Sequence, residues 1–179
     1  PSLAYVGLGS NLGDRLAALQ SAMRLLRDGS LPGTVVLRTS PIYETRPLGP
    51  SRHPFLNAVV ELRTELAPET LLAGLLAIEI RHGRTRKVRW EARTLDLDLL
   101  VLLTGGRSLR MHTPRLVLPH PELERRDFVL APLAALCPEL RPSGGATVAE
   151  LLAGLPDDQR TIVAPLGAAC AKVPRPRRI

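Results

Sequence analysis

A chain of 179 residues is long enough for one well-packed domain and short for two. Its 45% hydrophobic and 23% charged content are ordinary for a soluble globular protein, and no apolar run approaches the roughly 18 residues of a membrane span, which argues against disordered and membrane-spanning classes. The net charge of +7 is carried almost entirely by arginine, whose planar fork suits bidentate recognition of anions.

Cys137 and Cys170 have neither metal-ligand spacing nor the pattern of a secreted framework, and the first residues show no basic and apolar leader. A reducing cytoplasmic setting is the expectation.

In chain order, Leu3 to Leu8 is short, apolar and closed by Gly9-Ser10-Asn11, which predicts a strand. Asp14 can cap a helix whose apolar positions Leu16, Leu19, Met23 and Leu26 recur at helical spacing until Gly29. Thr34 to Thr45 is rich in β-branched residues and predicts a second strand, with Pro41 marking an edge or a break. The stretch from Arg46 to Pro54 carries three prolines and a glycine, so it is a shaped loop. Asn57 to Glu65 alternates as a third strand, with Ala58, Val60 and Leu62 on one face. Pro68 and Glu69 open a second helix that runs to about His82, where Gly83 stops it.

The stretch Arg93-Thr94-Leu95-Asp96-Leu97-Asp98 then leads into the apolar run Leu99 to Leu103. On a strand, Asp96 and Asp98 share one face, with Cα atoms about 7 Å apart, while Leu95, Leu97 and Leu99 share the other. Two like charges placed together need cations between them. An isolated Asp-x-Asp could simply be ion-paired to arginines. Here, however, Arg81, Arg84, Arg86, Lys87, Arg89 and Arg93 run directly into the pair against a single Glu91. That combination fits a polyphosphate with its metal, because magnesium takes one or two carboxylates plus phosphate oxygens and arginine grips the remaining oxygens.

The order strand, helix, strand, strand, helix, strand is the ferredoxin-like pattern, an α+β fold with a four-stranded sheet and two helices on one face. Arg107 to Pro121 reads as extended and loop-like. Phe128 to Leu136 and Thr147 to Leu155 read as helices covering the open face of the sheet. One domain over residues 1–160 is expected, followed by a flexible basic, proline-rich tail over 161–179.

Two function classes compete on these observations. An RNA-recognition module shares the element order, but it needs stacking aromatics on its first and third strands; the third has none within Asn57 to Glu65, and the first only Tyr5. Nucleic acid also leaves the acidic pair without a role. A regulatory domain that senses a small molecule needs no pair of metal-binding carboxylates beside a cationic loop. Phosphate-transfer chemistry uses both features.

Several blocks carry a resemblance. These are Gly7-Leu8-Gly9-Ser10-Asn11-Leu12-Gly13-Asp14, Tyr43-Glu44-Thr45-Arg46-Pro47-Leu48-Gly49-Pro50 and Phe55-Leu56-Asn57-Ala58. They continue with Glu79-Ile80-Arg81-His82-Gly83-Arg84-Thr85-Arg86, Arg89-Trp90, the Asp-x-Asp stretch, Leu118-Pro119-His120-Pro121 and Arg126-Asp127-Phe128-Val129-Leu130. In this order, from about Tyr5 to Leu140, they resemble the 6-hydroxymethyl-7,8-dihydropterin pyrophosphokinases of folate biosynthesis.

The resemblance implies pyrophosphate transfer from ATP to a pterin alcohol, with attack at the β-phosphorus and release of AMP. It implies that Asp96 and Asp98 hold two magnesium ions, that Arg84 and Arg93 meet the phosphates, and that His120 and Arg126 help bind ATP. Glu79, Trp90, Arg93, Leu99 and Arg115 match positions near the nucleotide. Thr45, Pro47, Leu48 and Asn57 would line a pterin pocket, with the ring between Phe55 and Phe128. Phe55 stands where many members have tyrosine, Arg46 where proline is common, and Pro121 where tyrosine is frequent. A monomer with no nucleic-acid or membrane partner is expected.

Overall fold

The structure is a computed structural model that describes residues 1–47, 53–82 and 94–166. Strand β1 (Ser2–Ser10) leads to helix α1 (Arg15–Arg27), where the Asp14 carboxylate accepts the Ala17 N–H at 3.0 Å as its cap. Gly29 then takes a φ of +81°, a left-handed conformation that costs glycine little.

The β-branched stretch divides at the expected proline into β2 (Thr34–Thr39) and β3 (Ile42–Thr45). Ser40 seals the break. Its N–H donates to the Val59 carbonyl and its Oγ accepts the Val59 N–H, both at 2.8 Å, so Pro41 interrupts the ladder without orphaning its partner. Both pieces pair with β4 (Phe55–Thr64), and α2 (Pro68–Arg81) follows with proline in its first turn. Strand β5 (Asp96–Thr104) completes the repeat.

The central strands run β5-β1-β4, flanked by β2 and β3, and every pairing is antiparallel. This is the ferredoxin-like α+β arrangement that the element order predicts. One face of the sheet offers Val6, Leu8, Val60, Leu62, Leu97 and Leu99 to a core shared with Leu19, Leu26, Leu71 and Leu75 of α1 and α2. The other offers Tyr5, Val59, Leu100 and Val101 to α3 (Asp127–Leu136) and α4 (Val148–Ala153), the two C-terminal helices expected there.

The region expected to be loop-like, Arg107 to Pro121, contains three two-residue strands. Of these, β6 (Arg107–Ser108) pairs with β5, while β7 (Met111–His112) and β8 (Val117–Leu118) pair with each other. A second correction concerns the tail: its first residues are not loose. Strand β9 (Ile162–Leu166) pairs with β3, with Thr45 opposite Ile162 and Ile42 opposite Leu166. Exposed, proline-containing sequence concealed it, because main-chain hydrogen bonds rather than apolar burial hold this edge strand. Residues 167–179 lie outside the described residues. Among the described residues, no helix is long and apolar enough to cross a membrane.

Candidate active site

The sheet register builds the site. Gly9 of β1 lies opposite Asn57 on β4 and opposite Asp96 on β5; Gly7 likewise lies opposite Val59 and Asp98. Alternation places these residues on the face toward α3, and Leu95, Leu97 and Leu99 in the core toward α1 and α2. Between the two aspartates and Asn57, β1 therefore presents a strip without side chains. A Cβ on Gly9 would stand 3.3 Å from Asn57 Oδ1 and 4.0 Å from Asp96 Cβ, and one on Gly7 would meet Leu100 Cδ1 at 3.4 Å. The glycines let the Leu100 side chain pack over Gly7, and let Asn57 and Asp96 approach each other across Gly9, with no side chain of β1 between the acidic side and the amide side.

On the amide side, Asn57 Nδ2 donates to Thr45 Oγ1 at 2.9 Å, and both residues are buried. Phe55 stands opposite Thr45 in the β3-β4 register and is half-buried, as is Pro47 just beyond β3. Phe128, in the first turn of α3, is also half-buried, with the Arg126 guanidinium carbon 5.6 Å from its ring centroid. Such a cation over a ring is mutually attractive. The structure thus brings Thr45 and Asn57 together, sets Phe55 beside Thr45, and sets Phe128 beside Arg126.

The acidic side is held from outside the sheet. Glu79, in the last turn of α2 and 1% exposed, accepts the Leu97 N–H at 2.7 Å. The His120 N–H donates to the Leu100 carbonyl at 2.8 Å, and His120 Nδ1 accepts the Glu122 N–H at 3.2 Å. In the neutral ring, the proton then sits on Nε2. Burial, and then the positive charge of Arg126, lower the pKa of His120, so it is neutral near pH 7; Glu122 and Asp96 act in the opposite sense.

Leu99 is buried in the helix-side core, so its side chain points away from the acidic face. Arg115 is exposed in the turn between β7 and β8, where the Thr113 hydroxyl donates to Glu69 at the start of α2. Glu69 and Glu79 lie about 15 Å apart along that helix by its rise per residue. Leu48, Arg84, Trp90 and Arg93, also expected at the site, lie outside the described residues.

Among the described residues, no three or more His, Cys, Asp or Glu side chains gather as a metal cage. Asp96 and Asp98 offer oxygen ligands only, from two carboxylates. That donor set fits magnesium completed by phosphate oxygens and water, not a closed structural metal site.

Two buried polar residues escaped the sequence reading. Asp127, beside Phe128, accepts the Thr161 N–H at 2.5 Å, the Thr161 hydroxyl at 2.6 Å and the Ile162 N–H at 2.9 Å. An acid in the first turn of a helix is a visible signal, but it usually means favourable interaction with the helix dipole. Nothing in the local sequence marks Thr161.

Comparison with known proteins identifies the family. Residues 5–138 match the family model of 7,8-dihydro-6-hydroxymethylpterin-pyrophosphokinase (HPPK). A 2-amino-4-hydroxy-6-hydroxymethyldihydropteridine pyrophosphokinase of Pseudomonas aeruginosa is 46% identical over 153 residues, covering 85% of this chain and 91% of the relative. The Bacillus subtilis protein of the same name is 43% identical over 150 residues, covering 83% and 85%. A solved HPPK-DHPS in complex with substrates superposes with a TM-score of 0.64 at 14% identity, a likeness of fold, over 85% of this chain. The chain spans only 43% of that longer protein. The matched residues and the level of identity place the chain in the 7,8-dihydro-6-hydroxymethylpterin-pyrophosphokinase family.

Proposed function

We propose that Asp96 and Asp98 hold two magnesium ions beside ATP, while Thr45, Pro47, Leu48, Phe55, Asn57 and Phe128 receive the pterin. The chain is a diphosphotransferase of folate biosynthesis, moving pyrophosphate from ATP to the hydroxymethyl group of 6-hydroxymethyl-7,8-dihydropterin and leaving AMP. The observation that carries the site assignment is the glycine strip, which separates a carboxylate pair from an amide and aromatic wall.

Transfer of this kind asks for in-line positioning and charge neutralisation more than for covalent chemistry by the protein. With its Nδ2 engaged by Thr45, Asn57 turns its Oδ1 toward Gly9 as an acceptor for a ring N–H. Phe55 and Phe128 supply stacking surfaces. Neutral His120 offers an Nε2–H donor, and Arg126 a positive charge, to the nucleotide. Arg84 and Arg93 grip the phosphates as charge moves onto the departing AMP. Trp90 and Arg115 complete the nucleotide side. Leu99 reaches the nucleotide through its main chain, because its side chain is buried in the opposite core. Glu79 acts by fixing the strand that carries the acidic pair. Held by Asp96 and Asp98, magnesium would supply charge neutralisation for the triphosphate and Lewis-acid positioning of the attacking hydroxyl. One domain, working as a monomer, suffices for this arrangement.

Incubation with ATP, magnesium and the pterin alcohol, followed by separation of the nucleotides, tests the reading. AMP should appear mole for mole with a pterin diphosphate. Accumulation of ADP would mean transfer of the γ-phosphoryl group alone and would overturn it.

A further inference from the structure

Thr161 is bonded in two directions. Its N–H and hydroxyl donate to Asp127, which lies between Arg126 and Phe128 at the start of α3. Its carbonyl accepts the Arg46 N–H at 2.8 Å, immediately after Thr45. The Arg46 guanidinium donates to the Arg160 carbonyl at 2.5 Å, and from Ile162 onward the segment pairs along β3. A piece of chain beyond residues 5–138, the span matched by the family model, therefore stitches the start of α3 to the end of β3. These two ends bear Phe128 and Thr45.

Asp127 is 3% exposed, and burying a carboxylate is unfavourable unless donors surround it. Three donors do so, all from Thr161 and Ile162. Because such charge-assisted bonds are short and directional, they fix a distance as well as hold a contact. The acidic pair depends on other links, namely the β1-β5 ladder and Glu79. Arg126 is held by α3 itself, its carbonyl accepting the Val129 and Leu130 N–H groups at 3.1 and 2.9 Å.

We infer that Asp127 and Thr161 are positioning residues for the pterin, the segment Arg160–Ile162 acting as a strap that sets the separation of Phe128 from Thr45. This rests on the pterin reading of those two residues. The carboxylate pair is held independently of the strap, by the β1-β5 ladder and Glu79, so loosening the strap should weaken pterin binding more than nucleotide binding.

The test titrates 6-hydroxymethyl-7,8-dihydropterin into the full chain with magnesium and a non-hydrolysable ATP analogue, separately titrates the analogue, and takes KM and kcat from steady-state rates with ATP. Thr161→Val removes the hydroxyl donor at nearly constant shape, Thr161→Ser restores it, and Asp127→Asn removes the charge. Thr161→Val and Asp127→Asn should each raise the pterin Kd and KM about tenfold, the scale of one lost charge-assisted bond. The Kd of the analogue should move much less than that of the pterin, kcat should change less than KM, and Thr161→Ser should bind pterin as the parent does. If Asp127→Asn does not fold, the valine and serine pair at 161 decides. Phe128→Ala separates the two readings. Weakened pterin binding in Phe128→Ala with parent-like binding in Thr161→Val overturns the strap alone. Unchanged binding in Phe128→Ala overturns the pocket, and the strap with it. Equal loss of pterin and analogue binding in Thr161→Val reduces the strap to general stability and overturns the inference.

Discussion

The Glu79 carboxylate accepts the main-chain N–H of Leu97 across 2.7 Å, so the last turn of α2 grips β5 at the residue between the two aspartates. Glu79 is buried, and losing its side chain would leave the Leu97 N–H unsatisfied. Glu79→Ala should cost about 1–3 kcal/mol of stability and also reduce turnover, while Glu79→Gln, which keeps an acceptor at the same reach, should lose less of both. Denaturant unfolding with parallel rate measurements checks this. Parent-like stability in Glu79→Ala would assign the carboxylate to the ligand instead.

Asp96→Asn and Asp98→Asn should each abolish magnesium-dependent turnover. Both variants should remain folded, so the lost rate reports the metal assignment and not unfolding. Rates and melting curves on the same preparations separate the two effects. Substantial activity in either variant would remove the metal assignment.

Gly9 tests the glycine strip directly. Its backbone φ lies outside the left-handed region, so Gly9→Ala asks what the strip is for without imposing backbone strain. The new methyl would lie 3.3 Å from Asn57 Oδ1 and occupy the floor between Asn57 and Asp96. A loss of pterin affinity of about 1–3 kcal/mol is expected, comparable to the overpacking of a well-fitted site, with the fold retained. Calorimetric titration of the pterin measures it. Unchanged affinity would place the ring elsewhere.

The ferredoxin-like order was legible because each element had a local signal. Asp14 and Pro68 mark helix starts, Gly29 a helix end, and alternation separates Asp96 and Asp98 from Leu97 and Leu99. The identity of the acidic face was legible for the same reason: a period of two is a local property. What could not be read was register. Nothing within β1 tells that Gly9 faces both Asn57 and Asp96, since pairing partners come from positions about 50 and 90 residues away and are selected by the whole core. Glu79 could be matched to the nucleotide side, but not seen to spend its carboxylate on the Leu97 N–H, a contact that only the packing of α2 on β5 creates. Strand β9 failed for a different reason. Val163 and Leu166 are exposed, so the segment carries no burial pattern to detect.

His120 gives the metal-free protein a pH dependence whose sign can be worked out. Its pKa in the fold is lowered from an unfolded value of 6.5, by burial first and by Arg126 second, against opposing contributions from Glu122 and Asp96. As pH falls below 6.5, the unfolded chain therefore takes up a proton at this site before the folded chain does. Neutral His120 contributes its full stability above that value, and the contribution is lost as pH falls toward and through the lowered folded value. His120→Asn keeps a side-chain acceptor near the position of Nδ1, which receives the Glu122 N–H, and removes the titration. Urea unfolding from about pH 7.5 to 5 should show the parent losing stability faster than the variant across this window, each unit of pKa depression amounting to about 1.4 kcal/mol before solvent screening. The comparison cancels the carboxylates that both proteins share. Parallel curves would mean that His120 titrates alike in both states, and would remove the basis for its neutral Nε2–H donor at the nucleotide.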